Sequence, residues 1–182
     1  TSTYCGIDTS TSTGISQYNM TLDFTLAAGA DGVAVLVAAA MTNDDISSVV
    51  LDPSGANISM TKQSSSHVST NDDLVQVWSS PYVPSGSTTV RVTLSANGEG
   101  VRVAGYGLFE CMSTTAVGVV NNGGFGGSTS DTEDVPAGAT AIVGVSKNGT
   151  NAITMSGVTE DSEGQYNTAS QKRLAAGHRD YA

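Results

Sequence analysis

Two histidines, two cysteines and a handful of acidic clusters are the residues of this chain that can do chemistry. His67 and His178 lie far apart. A Ser–His–Asp triad needs a hydroxyl, an imidazole and a carboxylate converging from separate elements. Serine and aspartate are so plentiful here that any such set drawn on paper has no specificity. The nucleophile-elbow pattern is missing, and "GVSKNG" (144–149) does not supply it. "HRD" at 178–180 matches a kinase triplet in letters only. The expectation is a chain with no catalytic residue, not an enzyme.

The acids gather as "NDD" at 43–45 and 71–73, "SDTED" at 130–134 and "TEDSEG" at 159–164. Clustered carboxylates can offer oxygen ligands to calcium. Asp131, Glu133 and Asp134 are the candidate metal set. The spacing is not that of an EF-hand loop, and solvated loops closed by Asx-turns account for the same residues. Two cysteines and two histidines at unrelated spacings do not make a zinc site. No cofactor is expected, and calcium is the one metal worth testing. Cys5 and Cys111 can pair, tying the N-terminus to a central strand, or stay as two separate thiols.

Trp78 and Tyr82 stand near the end of one strand pattern. Exposed, they would form an aromatic platform for a sugar ring. Buried, Trp78, the only tryptophan, would anchor the core.

These residues need a frame, and the pattern of the chain is that of β-structure. Helical periodicity is nearly absent, whereas period-two alternation and short apolar runs recur. Strands are expected over 31–41, 45–52, 58–63, 73–83, 87–95, 100–111, 116–121, 140–147 and 152–158. The C-terminal stretch "SQKRLAAGHRDYA" is expected to close the fold as a strand. Residues 1–12 and the glycine-rich run 121–134 are expected to be the least ordered. Ten to twelve short strands spaced by turns predict an all-β, antiparallel, jelly-roll-like sandwich. Residues 31–182 read as that single domain, with 1–30 as an N-terminal segment and first strand available for attachment. Starting at Thr1 rather than Met, the chain is expected to be processed at its N-terminus or to be a piece of a longer one.

One phrase is written three times: "LAAGADGVAVLVA" (26–38), "VPSGSTTVRVTLS" (83–95) and "VPAGATAIVGVSK" (135–147). A small residue and a glycine make a tight turn, and the alternation that follows launches a strand into the core. The bland reading, a common local solution in β-sandwiches, is preferred to an internal duplication.

Charge narrows the partners. The formal net charge is −10 with only 7 Lys plus Arg. That disfavours nucleic acid, which needs a basic face, and attraction to anionic membranes. No stretch is long and apolar enough to span a bilayer as a helix.

Taken in order, "GVAVLVAAA", "VVLDPSGANISM", "LVQVWSSPYVPSGSTTVRVTLS", "VRVAGYGLFE", "STTAVG", "VPAGATAIVGVS" and "GHRDYA" resemble the β-sandwich domains of tailed-phage and gene-transfer-agent virion proteins. The resemblance spans Gly32 to Tyr181 and rests on turn glycines, prolines and core alternation. It implies a capsid decoration, head spike or tail-fibre component on a particle surface. It implies other virion subunits as partners, a homo-oligomer, and no catalytic residue. The alternative is a carbohydrate-binding or adhesin module that engages a cell-surface glycan through Trp78 or Tyr82.

Overall fold

The computed structural model describes residues 1–40, 45–68, 73–111, 113–114, 134–167 and 171–182, with the backbone alone at 65–68 and 73. The strands are β1 (Ser2–Ser10), β2 (Ile15–Asp23), β3 (Gly32–Ala40), β4 (Ile46–Leu51), β5 (Ile58–Ser59) and β6 (Thr61–Val68). They continue with β7 (Asp73–Ser80), β8 (Ser87–Gly98), β9 (Val101–Leu108), β10 (Thr140–Asn148), β11 (Thr159–Asn167) and β12 (Lys172–Asp180). A short 3-10 turn, Thr25–Ala27, joins β2 to β3.

Three antiparallel sheets result, ordered β1-β9-β3-β7-β6, β2-β8-β4-β5 and β10-β12-β11. Successive strands cross between the first two sheets, so that β1-β9-β3-β7 faces β2-β8-β4-β5. This is jelly-roll-like connectivity, and the all-β sandwich expected from the turn spacing is the fold observed. β5 and β6 run on through Met60, so one extended segment leaves the second sheet and joins the edge of the first.

The third sheet follows from the composition of β3. Its residues, Gly32 to Ala40, are all buried, which needs a layer on each side. Val33, Val35, Val37 and Ala39 pack toward Met20, Leu22, Val90 and Val92 of the second sheet. Ala34, Leu36, Ala38 and Ala40 pack toward Tyr166, Leu174 and Ala176 of the third. β9 alternates likewise, with Val101 and Val103 on the first side and Ala104 and Tyr106 on the other. Close approach of the third sheet uses glycines as sockets. A Cβ on Gly144 would stand 2.6 Å from Leu36, and one on Gly164 would stand 2.7 Å from the Arg102 guanidinium.

Three expectations change. Residues 1–12 are not loose: β1 pairs with β9 from Ser2↔Leu108 to Ser10↔Val101. Residues 152–158 form no strand; β10 instead pairs with β12, from Thr140↔Asp180 to Asn148↔Lys172. The acidic stretch expected as a loop is β11, paired to the other side of β12. The run Leu174–Gly177 explains why β12 takes the centre: it is the longest buried run of the three strands. The strand expected at 116–121 lies outside the described residues.

Val35 and Leu36 are neighbours that point into different cores. Val35→Ala and Leu36→Ala should therefore each cost about 2 kcal/mol or more in urea unfolding. A near-neutral result for Leu36→Ala would mean that the third sheet does not cover β3.

Candidate functional site

The three repeated turns share one backbone device. In all three, the glycine has positive φ: Gly29 at 84°, Gly86 at 69° and Gly138 at 80°. A side chain is strained there, which is why the phrase holds glycine at that position. Each turn launches one strand in a different sheet: β3, β8 and β10 respectively.

Two of these turns lie side by side. Phe24 N–H donates to Gly86 O at 2.9 Å, continuing the β2–β8 pairing past Asp23↔Ser87. Between them is a groove of about 400 Å³. One wall is Phe24, Thr25, Ala28 and Gly29; the other is Val83, Pro84, Ser85 and Gly86. No ionisable side chain is among these lining residues. Phe24 and Ala27, both fully buried, pin the 3-10 turn to the core. The Asp23 carboxylate accepts from Thr25 N–H at 2.9 Å and Thr25 Oγ1 at 2.6 Å, which closes the turn and lowers its own pKa. Held this way, the turn projects Leu26 outward at 64% exposure. Among the described residues the other exposed large hydrophobic is Ile15, at 38%. An apolar knob thus stands beside an uncharged groove.

The ionisable groups collect elsewhere, in the seam between the first and third sheets. Arg102, on β9, is 9% exposed and donates to Thr9 Oγ1 at 2.8 Å and to Ser162 Oγ at 3.0 Å. It thereby ties β9, β1 and β11 together, and burial lowers its pKa. Its Nε and the Tyr106 hydroxyl are buried without a hydrogen-bond partner among the described residues. Burial and the Asp161 charge push the Tyr106 hydroxyl far above the usual phenol range. A register shift between Glu160 and Ser162 turns Asp161 toward His178, whose Nδ1 lies 2.7 Å from Asp161 Oδ2. Glu163 accepts two bonds from Arg173, at 2.5 and 2.6 Å, which hold its carboxyl below the usual range.

This arrangement redraws the sites expected from sequence. His178 pairs with Asp161, not with Asp180, and no hydroxyl hydrogen-bonds to it among the described residues. Asp180 instead accepts from Ser2 and Thr140, linking the first and last strands. The acids of "TEDSEG" hold neighbouring segments: Asp161 through His178, Glu163 through Arg173, and Glu160 through the Met155 N–H at 3.0 Å. Of the proposed calcium set, Asp131 and Glu133 lie outside the described residues and Asp134 is exposed. No group of three metal-binding side chains occurs among the described residues. The side chain of His67 is also outside the description.

The aromatic platform is corrected. Trp78 is 6% exposed and belongs to the main core, with its Nε1–H donated to Gln76 Oε1 at 3.0 Å. Gln76 in turn donates to Asp45, and Lys62 Nζ sits 5.6 Å above the indole and 2.7 Å from Asp45. Tyr82 is half-buried against the same core. The alternation of β7 explains this: Trp78 pairs opposite Val35 on the inward face. The cysteine pair expected as one alternative is not formed. Both are free thiols, Cys5 buried on β1 and Cys111 beside Asp31, and burial raises the pKa of each. Sequence reasoning misses the groove, because the turn phrase announces the strands it launches and not the surface between two turns. The available signal is Leu26, an apolar residue inside a turn.

No protein-family model, no curated protein and no solved structure matches the chain.

Two measurements check this picture. Emission of the single tryptophan should be blue-shifted and shielded from iodide; a quenchable, solvent-like spectrum would contradict burial of Trp78. Glu163 has its pKa lowered on folding, so its stabilisation is full above the ordinary glutamate range, about 4.3, and is lost as pH falls through the depressed value. Glu163→Gln should cost about 1–3 kcal/mol at pH 7 and distinctly less near pH 3. Equal losses at both pH values would show that the Arg173 pair does not set the acid sensitivity.

Proposed function

We propose that this chain is a structural subunit of a phage-like particle, a capsid decoration, head spike or fibre domain, that acts by assembly rather than by chemistry. The observation that carries the reading is the exposed Leu26 beside an uncharged groove, in a hydroxyl-rich and acidic chain. A lone exposed leucine is ordinary on a protein surface; here it stands on a turn pinned by Phe24 and Ala27, beside an uncharged recess, which gives a partner a defined place to dock. The patch falls partly within the first thirty residues, the segment expected to attach. Jelly rolls are a recurrent architecture of capsid proteins, which adds a fold-level analogy. The acidic balance fits protein partners rather than nucleic acid or anionic lipid. A glycan-binding alternative loses its main support with Trp78 in the core.

The test is location. In particles purified from the cells that encode it, the chain should co-sediment with the particles, and antibody against it should label their surface. Abundant chain in the cell extract with none in the particle fraction would refute the assignment.

A further inference from the structure

The third sheet has a cover of its own, on the face turned away from the first sheet. β10 and β11 both run antiparallel to β12, so they are parallel to each other, and the chain must cross β12 to join them. Residues 149–158 make that crossing. Along β12, Arg173, Ala175, Gly177 and Arg179 alternate with Leu174 and Ala176, which face the inner core. Ala175 and Gly177 are nevertheless buried, and neither belongs to the two cores. The crossing segment covers them. A Cβ on Gly177 would stand 3.2 Å from the Met155 sulfur, and Ile153 is 8% exposed.

Charged side chains hold this segment by its main chain. Arg173 Nη1 donates to Thr150 O at 3.4 Å, Lys147 Nζ to Ala152 O at 2.9 Å and Arg179 Nη1 to Gly157 O at 3.0 Å. Met155 N–H donates to Glu160 Oε2 at 3.0 Å, and Ile153 N–H donates to the Glu163 carboxylate. The chain has only 7 Lys plus Arg, and Lys147, Arg173 and Arg179 all serve this one segment. Within it, Ile153 is the one buried side chain.

We propose that residues 149–158 are an acid-released strap, closed over β12 at neutral pH and lifted from it in acid while β10, β11 and β12 stay paired. One apolar anchor and a set of charge-assisted bonds make the closure chiefly electrostatic. The three strands are joined by backbone ladders, which protonation of side chains leaves intact. Arg173 holds the Glu163 carboxyl below its usual range. A carboxyl lowered on folding favours the closed state fully above the ordinary glutamate range, and that advantage is lost as pH falls through the lowered value. Once Glu163 is neutral, Arg173 and the nearby Arg102 of β9 lose the negative charge between them. Of the other titratable groups, Glu160 holds the Met155 amide on the same face. Lys172, His178 and Asp180 fall on the opposite side of the β12 alternation, with Asp161 bonded to His178. The strap thus switches the outer face of the third sheet between a covered and an uncovered state. This goes beyond the assembly reading and does not depend on it.

The experiment is hydrogen–deuterium exchange of the intact chain from pH 7 to pH 3, with each rate referred to that of an unstructured peptide at the same pH. The amides of Ile153 and Met155 should lose protection by about tenfold or more as pH falls, while those of Leu174–Gly177 keep theirs. Glu163→Gln should bring the same loss at pH 7, with unchanged Trp78 emission showing that the main core is intact. Protection at residues 153 and 155 that does not change with pH overturns the strap. So does a loss there that occurs only together with Leu174–Gly177. A folded Glu163→Gln chain whose strap amides match wild type also overturns it. The pH series uses the wild type alone, so it decides the matter even where that variant fails to fold.

Discussion

Burial of β3 on both faces is the constraint on which the other layers depend. A nine-residue strand with no exposed position cannot sit in a two-layer sandwich with one face to water. The second sheet covers one side with Met, Leu and Val, and the third covers the other with Tyr166, Leu174 and Ala176. Because β3 offers mainly alanine to the third sheet, that sheet must come close. Gly144 and Gly164 permit it, one receiving Leu36 and the other the Arg102 guanidinium. Arg102 then fastens the layers by hydrogen bonds to Thr9 and Ser162 instead of by an apolar side chain. A buried arginine held by hydroxyls, with its Nε unpartnered among the described residues, is costly alone. It is tolerated here because the layers around it are stabilised by apolar burial.

The same frame explains where function can lie. Acidic residues that look like a ligand cluster in the sequence are distributed among strand-to-strand contacts. Asp161 faces His178, Glu163 holds Arg173, and Asp180 ties Ser2 to Thr140. The most exposed large hydrophobic among the described residues is Leu26, carried on a turn whose neighbours Phe24 and Ala27 are fully buried. The turn that launches β3 and the turn that launches β8 make the groove between them. One piece of local grammar therefore both positions strands and shapes the surface.

Much of the frame is legible locally. The run "GVAVLVAAA" reads as a buried strand, the alternation of Val90, Val92 and Leu94 marks β8, and "RLAAGHRD" reads as a closing strand. β1 and β11 escape because they are polar. β1, at the edge of its sheet, has one buried residue, Cys5, and a register shift between Tyr4 and Gly6. β11 has two, Tyr166 and Asn167, and is held by pairing to β12 and by side-chain bonds that no local pattern encodes. The third layer is likewise hidden, since periodicity reveals that a residue is buried but not what covers it. Trp78 illustrates the same limit from the other side. Its position near a strand end suits a platform or a core, and its pairing opposite Val35 decides for the core.

Burial of β3 between two sheets predicts that β3 and the third sheet open together. Native-state hydrogen–deuterium exchange of the intact chain measures this directly. Amides of β3 and of Leu174–Gly177 are expected to exchange at one slow rate, set by global unfolding. Rapid exchange at Leu174–Gly177 while β3 stays protected would contradict the account.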